Sequence, residues 1–200
     1  NVVAGLCAAS GVEAVDVDKL YGYVRGYSVA QIDGARAALQ PLMLAYGFEA
    51  VEREGALIFR TRTGLPDADI GADPIALLAE QESAVERIRA PQAEMAGRVR
   101  LNFVDADGDY DIRAEEAIFP DETSAVISQT ELALLLNQAE ARAIAERRLA
   151  QSRIARDSVR FSLPKSDIEL GAGDVVTLSD GEGLGDYRID RVTLGEGQMI

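Results

Sequence analysis

Residues 24–62 carry three hydrophobic periodicities in succession without a gap, and this succession constrains the fold more than any other feature. Residues 23–29 alternate with a period of two, which predicts an extended strand with one covered face. Residues 32–46 carry an apolar stripe at spacings of three and four, which predicts a helix. Residues 48–61 return to extended patterns around a glycine turn, which predicts an antiparallel hairpin. Together they predict a packed α+β unit.

Specific residues mark the ends of this predicted helix. Asp33 is placed to cap its N-terminus, and Gly47 can adopt the left-handed conformation that ends a helix. Pro41 lies inside it, where it removes one backbone hydrogen bond and is expected to bend the helix.

The other predicted elements before residue 95 are short and are bounded by glycine, proline or aspartate. They are a helix at 2–9, a helical turn at 16–20, a loop at 63–73, a helix at 75–80 and a strand at 84–90. Because these elements surround the stretch at 24–62, residues 1–95 are predicted to form a mixed α/β domain.

Beyond residue 95, strand-like segments surround one long helical pattern. The capping box Ser128-Gln129-Thr130-Glu131 predicts a helix over residues 129–156. Strands are predicted at 98–104, 110–118, 159–163, 175–178 and 186–194. Residues 96–200 are therefore predicted to form an antiparallel β-barrel-like domain, in which residues 99–118 and 159–194 share one sheet with the helix packed on it.

The predicted long helix carries small and apolar residues on two faces. One row is Leu132, Leu135, Leu136, Ala139 and Ala143, and the other is Leu134, Ala141, Ala145 and Leu149. A sheet within the chain covers only one face, so we expect Ala141 and Ala145 to be available to a neighbouring subunit. The arginines of its second half, from Arg142 to Arg156, are explained by the helix C-terminus and solvent, or else by an acidic partner.

Composition and charge exclude several classes of function. The 200 residues are 48% hydrophobic, which is enough for a core, and the net charge of −14 argues against binding phosphate backbones. The longest apolar run, residues 132–136, is far shorter than a bilayer requires. The apolar pattern starts directly after Asn1, which suggests a fragment of a longer polypeptide.

The residues needed for common catalytic chemistry are missing or isolated. The chain has no histidine, so Cys7, Ser10, Ser28 and Ser83 lack the usual base. With one cysteine it forms no internal disulfide, which suits assembly in a reducing cytoplasm. The turn Gly171-Ala172-Gly173-Asp174 lacks the lysine of a phosphate loop and precedes a strand. We predict no catalytic, cofactor-binding or metal-binding residues and no enzyme activity.

The aspartates at 105–111 imitate a calcium-binding loop. Asp105, Asp107, Asp109 and Asp111 alternate along it, and Glu116 falls at its twelfth position. Tyr110 occupies the sixth position, where the calcium loop has glycine, and the flanks alternate like strands. We predict an exposed hairpin tip and no formed metal site.

Several short motifs follow one another in a fixed order along nearly the whole chain. They are Val24-Arg25-Gly26-Tyr27-Ser28-Val29, residues 35–42, Tyr46-Gly47-Phe48, residues 54–59, residues 99–105, Asp109-Tyr110-Asp111, residues 145–149, Phe161-Ser162-Leu163-Pro164, residues 170–176 and Tyr187-Arg188-Ile189. In this order they resemble the phage tail proteins of siphophages and gene transfer agents, the tail-tip or baseplate hub (host-specificity) proteins.

The resemblance implies a structural hub that assembles under the tail tube, with no catalytic motif to transfer. It implies self-association as a trimeric ring in the full-length protein, contacts with other tail and baseplate proteins, and a location at the tail tip of a particle assembled in the bacterial cytoplasm. Host attachment and DNA delivery would be its roles. Neither sequence-specific nucleic-acid binding nor membrane insertion is implied.

Two alternatives come from the acidic composition. A cell-wall-degrading domain of glycosidase type would use a carboxylate pair such as Asp16/Asp18 or Glu115/Glu116. A calcium-stabilised adhesion module would use the aspartates at 105–111.

Overall fold

The computed structural model describes residues 1–29, 34–77, 83–91, 95–120, 126–164, 170–179, 183–195 and 198–199. These residues form three helices and thirteen strands, arranged in four sheets. In chain order the elements are α1 (Val2–Ala9), β1 (Val15–Lys19), α2 (Ala35–Tyr46), β2 (Phe48–Arg53), β3 (Ala56–Thr61), β4 (Ala68–Ile70), β5 (Val85–Arg89), β6 (Arg98–Asp105), β7 (Ile112–Ile118), β8 (Ile127–Leu136), α3 (Gln138–Ile154), β9 (Asp157–Leu163), β10 (Val175–Ser179), β11 (Leu184–Arg188), β12 (Thr193–Leu194) and β13 (Gln198–Met199).

The chain divides into two compact units that interleave in sequence. The first unit contains residues 1–62 and 91–156, and the second contains residues 63–90 and 157–200. The predicted boundary at residue 95 follows the order of elements along the chain, whereas the compact units follow packing between segments distant in sequence. The division into domains 1–95 and 96–200 stays a prediction.

The helix and hairpin predicted at the start of the chain are confirmed. Helix α2 continues through Pro41 and ends at Gly47, which has a left-handed φ of 66°. Strands β2 and β3 pair antiparallel around Glu54 and Gly55, whose φ values of 52° and 77° are those a two-residue type I′ turn requires. Helix α2 starts after Gly34, and the predicted cap Asp33 lies outside the described residues.

Three short predictions in the N-terminal half are wrong in detail. The helical turn at 16–20 is strand β1, because its alternating residues pair in parallel with β3. Strand β4 lies within the predicted loop at 63–73 because it pairs with β10. In the helix predicted at 75–80, Ala76 instead forms an isolated bridge to Ser162, and residues 78–80 lie outside the described part.

The segment at 23–29 is extended but forms only an isolated bridge, between Tyr27 and Leu134 of β8. The Ser28 N–H donates to the Ala133 carbonyl, and the Leu135 N–H donates to the Gly26 carbonyl. Arg25 Nε donates to both carboxylate oxygens of Glu140, at 3.1 Å. The segment is therefore attached both to the edge of β8 and to the first turn of α3.

The hairpin predicted beyond residue 95 is confirmed. Strands β6 and β7 pair antiparallel without interruption from Arg98 opposite Ile118 to Val104 opposite Ile112. Strand β8 runs parallel to β6 on its other side, so the sheet order is β7-β6-β8. Helix α3 packs on β6 and β7.

The first third of the predicted helix at 129–156 is wrong, since residues 127–136 form β8. Leu132, Leu134 and Leu136 alternate and are buried, as expected of a strand covered on one face. Pairing with β6 overrides the local capping pattern at Ser128. The real cap is Asn137, which accepts a hydrogen bond from Glu140 N, while Glu140 accepts one from Asn137 N.

The first unit has one apolar core, shared by its helices and both of its sheets. Phe48 and Phe59 meet edge to face at 6.1 Å within it. Its most buried members include Cys7, Leu42, Leu101, Phe103, Leu134, Ala141 and Ala145.

The second unit has its own core, formed by Ile70, Phe161, Leu163, Val176, Leu178 and Ile189. Its sheets have the orders β11-β10-β4 and β12-β13-β9-β5. The prediction of one sheet shared by residues 99–118 and 159–194 is therefore wrong, because both groups pair with other strands. The described strands form open sheets and no closed barrel, whereas the α+β class is confirmed.

Replacing Asn137 with alanine removes the cap of α3, and we expect it to lower the free energy of unfolding by about 1 kcal/mol. Ser128→Ala is the matched control, because Ser128 lies within a strand and caps nothing. Urea unfolding followed by circular dichroism measures both. A larger loss for Ser128→Ala would contradict the assignment of the cap.

The Arg25–Glu140 pair predicts a pH dependence of stability. Burial opposes ionisation of Glu140, but the hydrogen bonds from Arg25 and Asn137 outweigh it and hold the pKa of this carboxyl below its usual range. A lowered folded pKa gives stability that is present above the unfolded pKa of about 4.3 and is lost as pH falls through the folded pKa.

We therefore expect Arg25→Gln to lower the melting temperature at pH 7 and to have a smaller effect once the pH falls below the folded pKa of Glu140. Arg142→Gln is the control, since its pair with Glu146 is an exposed i,i+4 pair. A decrease in melting temperature for Arg25→Gln that stays the same at every pH would contradict this account.

Candidate assembly surfaces

The nucleophile candidates take part in local backbone or core contacts, and Ser10 is the C-cap of α1. Cys7 is fully buried in the first core, and this burial raises the pKa of its thiol. The Ser28 N–H pairs with β8, and Ser83 Oγ donates to the Val85 carbonyl at 2.9 Å. Among the described residues, no group of three or more acidic, histidine or cysteine side chains is placed to hold a metal ion.

The aspartate turn joins β6 to β7, as predicted, but one of its aspartates belongs to the interior. Asp105 is buried and pairs with Arg113 at 2.9 Å, and its Oδ1 accepts a hydrogen bond from Asp107 N. Asp107, Asp109 and Asp111 are exposed at the tip. Because Asp105 is engaged by Arg113, the four carboxylates do not converge on one point.

The acidic pairs considered for a glycosidase do not face each other across a cleft. Glu115 and Glu116 are adjacent on β7 and therefore point to opposite faces of the sheet. Gln138 donates to Glu115 at 2.7 Å on the α3 side. Asp16 Oδ1 accepts a hydrogen bond from Asp18 N within β1.

The glycine turn before β10 is a structural turn, as the sequence indicated. Gly173 has a φ of 90°, and the buried Asp174 accepts a hydrogen bond from Gly171 N at 2.8 Å. The Asp174 carboxylate therefore stabilises the turn by binding the backbone at its first residue.

The expectation that Ala141 and Ala145 are exposed is wrong. Both are completely buried, together with Ile144 and Leu149, on the face of α3 that covers β6 and β7. The helix starts at Gln138 and not at Gln129, so the first predicted apolar row belongs mostly to β8, with Leu132, Leu135 and Leu136 in that strand. Helix α3 therefore has one apolar face, and the sheet already covers it.

Arginines of α3 are largely used inside the first unit. Arg147 donates to the carbonyls of Leu44 and Ala45 at the C-terminal end of α2, where a cation is favoured. Burial, with a smaller effect of Arg62, lowers the pKa of Arg147. Arg153 stacks on the ring of Phe119 at 4.0 Å.

The opposite face of the β7-β6-β8 sheet, which we call the outer sheet face, is not covered by α3. It consists of the residues that alternate with the buried ones: Arg98, Arg100, Asn102 and Val104 on β6, Ile112, Ala114, Glu116 and Ile118 on β7, and Ile127, Gln129 and Glu131 on β8. Glu116 lies 3.4 Å from Arg98 and 3.7 Å from Arg100, so its charge is balanced within the face.

One end of this sheet exposes large apolar side chains, which we call the sheet-end patch. Its members Ile118, Phe119, Val126, Ile127 and Ile154 are between 40% and 74% exposed. Backbone hydrogen bonds from Gly97 to Val126 and from Phe119 to Gly97 hold its two segments side by side. An exposed apolar cluster beside arginines is the composition of a protein interface.

A second candidate surface is a cavity of about 360 Å³ in the first unit, lined by Val2, Val24, Leu42, Tyr46 and Phe48 among others. Tyr21 and Tyr23 stand at it with about three quarters of their surface exposed, at 74% and 73%. Tyr46 OH donates to the Tyr23 carbonyl at 2.9 Å, and burial is the main cause that raises the pKa of Tyr46. The aromatic rings are therefore presented on a fixed backbone.

Sequence reasoning missed both surfaces because it placed these residues only in strands and loops. The runs Ile118-Phe119 and Val126-Ile127, on either side of a polar loop, carry more apolar area than a hairpin end needs. That excess was the available signal for the sheet-end patch.

Comparisons of the sequence and of the structure with known proteins indicate the same class of protein. A family model described as "Putative phage tail protein" matches residues 34–192. A chain in the virion of a native gene transfer agent particle is 50% identical, with a TM-score of 0.94 over 99% of this chain. A tail protein from Neisseria meningitidis MC58 and the 43 kDa tail protein of prophage MuSo2 from Shewanella oneidensis share the fold, with TM-scores of 0.65 and 0.61 over 99% of this chain at 13% and 11% identity.

The fold is thus that of a structural protein of phage-like tails. The chain is a member of the phage tail protein family. It spans 45% of the gene transfer agent chain and 63% and 62% of the other two. No curated protein matches the chain.

We expect Ala145→Glu to lower the free energy of unfolding by about 3 kcal/mol or more, because it places an unpaired carboxylate in the core. Ala150→Glu is the matched control, since Ala150 is exposed on the same helix. Thermal unfolding by circular dichroism distinguishes them. Equal melting temperatures would mean that α3 does not bury this face.

Proposed function

We propose that the chain is a module of the tail-tip or baseplate hub of a phage-like particle of the gene transfer agent type. The observation that carries this proposal is the likeness to a gene transfer agent virion chain over 99% of the sequence at 50% identity.

The role is assembly with other tail and baseplate proteins, including self-association of the full-length protein as a trimeric hub. The sheet-end patch supports this role, because burying each such side chain completely contributes about 1.5–3 kcal/mol relative to leaving it in water. Arg98 and Arg153 beside the patch suit a polar rim.

The acidity of the chain suits host attachment followed by DNA delivery. A net charge of −14 repels the phosphate backbone, so DNA that passes the hub would not be retained on it. The hub acts without enzymatic activity, and we place it at the tail tip of particles assembled in the bacterial cytoplasm. In the described part of the chain, no helix combines the length and apolarity that crossing a bilayer requires.

The test combines location with surface mutation in the intact protein. A tag on the protein, imaged by electron microscopy of purified particles, is expected at the tail tip. A tag elsewhere in the particle, or its absence from particles, would contradict the hub role.

We expect the double variant Ile118→Asp/Ile127→Asp to fold normally but to enter particles at least about tenfold less well than the wild type, since charges oppose burial of the patch. Leu184→Asp is the control, because Leu184 is even more exposed than Ile118 and Ile127 but lies in the second unit. Immunoblots of purified particles give the incorporation ratio. Normal incorporation of the folded double variant would remove the sheet-end patch from the interface.

A further inference from the structure

The cavity of the first unit has a lining without charged side chains. It lies between the start of α1, the C-terminal half of α2, the start of β2 and residues 20–24. Its volume of about 360 Å³ falls within the range of about 300–1,000 Å³ that is usual for small-molecule sites. None of the described residues that line it is acidic or basic, although 27% of the chain is charged. Such a lining favours a neutral ligand over a phosphate, a carboxylate or a charged peptide.

Two phenol groups stand at this cavity with hydrogen-bonding capacity to spare. In the described part of the chain, Tyr21 and Tyr23 form hydrogen bonds only through backbone atoms, so their hydroxyls are open to a ligand. Each side chain offers an apolar ring face and a hydroxyl that both donates and accepts. A saccharide ring has the matching surfaces, because its faces carry C–H groups and its rim carries hydroxyls.

The backbone that carries the two rings is held before any ligand arrives. The Tyr21 N–H donates to Thr61 Oγ1 at 3.2 Å, and Tyr46 OH donates to the Tyr23 carbonyl at 2.9 Å. Between them, Gly22 has a φ of 143°, and a Cβ at this position would lie 3.1 Å from the Tyr46 ring. Only glycine combines this conformation with this close approach. Holding the backbone in place lowers the entropy lost when a ligand binds.

The same contacts oppose an extended peptide as the ligand. A peptide that adds a strand needs a run of extended residues whose outward N–H and C=O groups are free. The positive φ of Gly22 interrupts such a run, and the Tyr23 carbonyl is already bonded to Tyr46. Side-chain contacts with a compact neutral ligand are unaffected by either feature.

We propose that this cavity binds a neutral saccharide, with a sugar ring packed against Tyr21 and Tyr23 and its hydroxyls bonded to their phenol groups. The inference deepens the proposed function, because a saccharide site gives host attachment a chemical basis. It rests on that function only for its biological use. Copies of the site in one assembled hub would add avidity to an individually weak contact.

Nitration of tyrosine by tetranitromethane, read by mass spectrometry of purified particles, tests the site without any variant. We expect Tyr21 and Tyr23 to react because they are exposed. Tyr46 should resist, since burial raises its pKa and nitration proceeds through the phenolate. Tyr110 is the matched control, because it is 70% exposed in the same unit but lies at the β6–β7 tip and not in the cavity.

The probes are two neutral trisaccharides, maltotriose and chitotriose. At about 20 mM, either one fills most of a site with a Kd of about 1 mM, so nitration of Tyr21 and Tyr23 is expected to slow about tenfold. Nitration of Tyr110 should not change. Protection by chitotriose alone would assign the site to amino sugars of the cell-wall type, and protection by maltotriose alone to hexose polymers. Protection by neither trisaccharide would overturn the proposal.

The free intact protein provides the comparison that detects a protein ligand. If Tyr21 and Tyr23 react in the free protein but not in particles, another polypeptide covers the cavity, and the saccharide proposal is wrong. Equal reactivity in both forms would support an open site.

A double variant, Tyr21→Ala/Tyr23→Ala, tests the contribution of the two rings in the intact protein. We expect it to keep its circular dichroism spectrum, because both rings are exposed, and to bind the protecting trisaccharide at least about tenfold more weakly by saturation-transfer NMR. Tyr110→Ala should bind normally. Unchanged binding by the double variant would overturn the proposal.

The two proposals fail in different ways. A tag located away from the tail tip would contradict the hub role. Unprotected Tyr21 and Tyr23 in a correctly located protein would contradict only the saccharide site.

Discussion

The packing of α3 on the β7-β6-β8 sheet is the interaction on which the first unit depends. Ala141 and Ala145 are completely buried there, and their small side chains let the helix approach β6 and β7 closely, beside Val99, Leu101 and Phe103 in the same core. Since this contact uses the one apolar face of α3, the helix has no second surface for partners. The surfaces left for assembly are therefore the outer sheet face and its end.

Much of the local structure follows from the sequence, and the failures share one cause. The turn at Glu54-Gly55, the stop at Gly47 and the β6–β7 hairpin depend on residues close together in the chain, and the pattern predicted them. Residues 127–136 have the apolar content of a helix, yet they pair with β6, whose partner residues lie about thirty positions earlier. Sheet membership of β4, β5 and β9 likewise depends on pairing between distant segments, which no local pattern records.

The candidate surfaces were predictable only in part, for a related reason. The net charge and the absence of histidine follow from composition alone, and they restrict which ligands the chain can bind and which reactions it can catalyse. The ordered motifs indicate the tail protein family. The location of the exposed apolar residues depends on which face α3 covers. Because α3 is capped by Asn137 and not by Ser128, one of its two predicted apolar rows belongs mostly to β8. The row that remains contains Ala145 and is core, while Ile118 and Ile127 are on the surface.

The interleaved order of the two units has a consequence for synthesis on the ribosome. Strand β5 pairs with β9, and β4 pairs with β10, but the whole of 91–156 is translated in between. At about 5–20 residues per second, β4 and β5 wait several seconds for their partners. During that interval two unpaired strands, with Ile70 and Val85 uncovered, are available to chaperones or to aggregation, so the second unit is the part of the nascent chain most in need of protection.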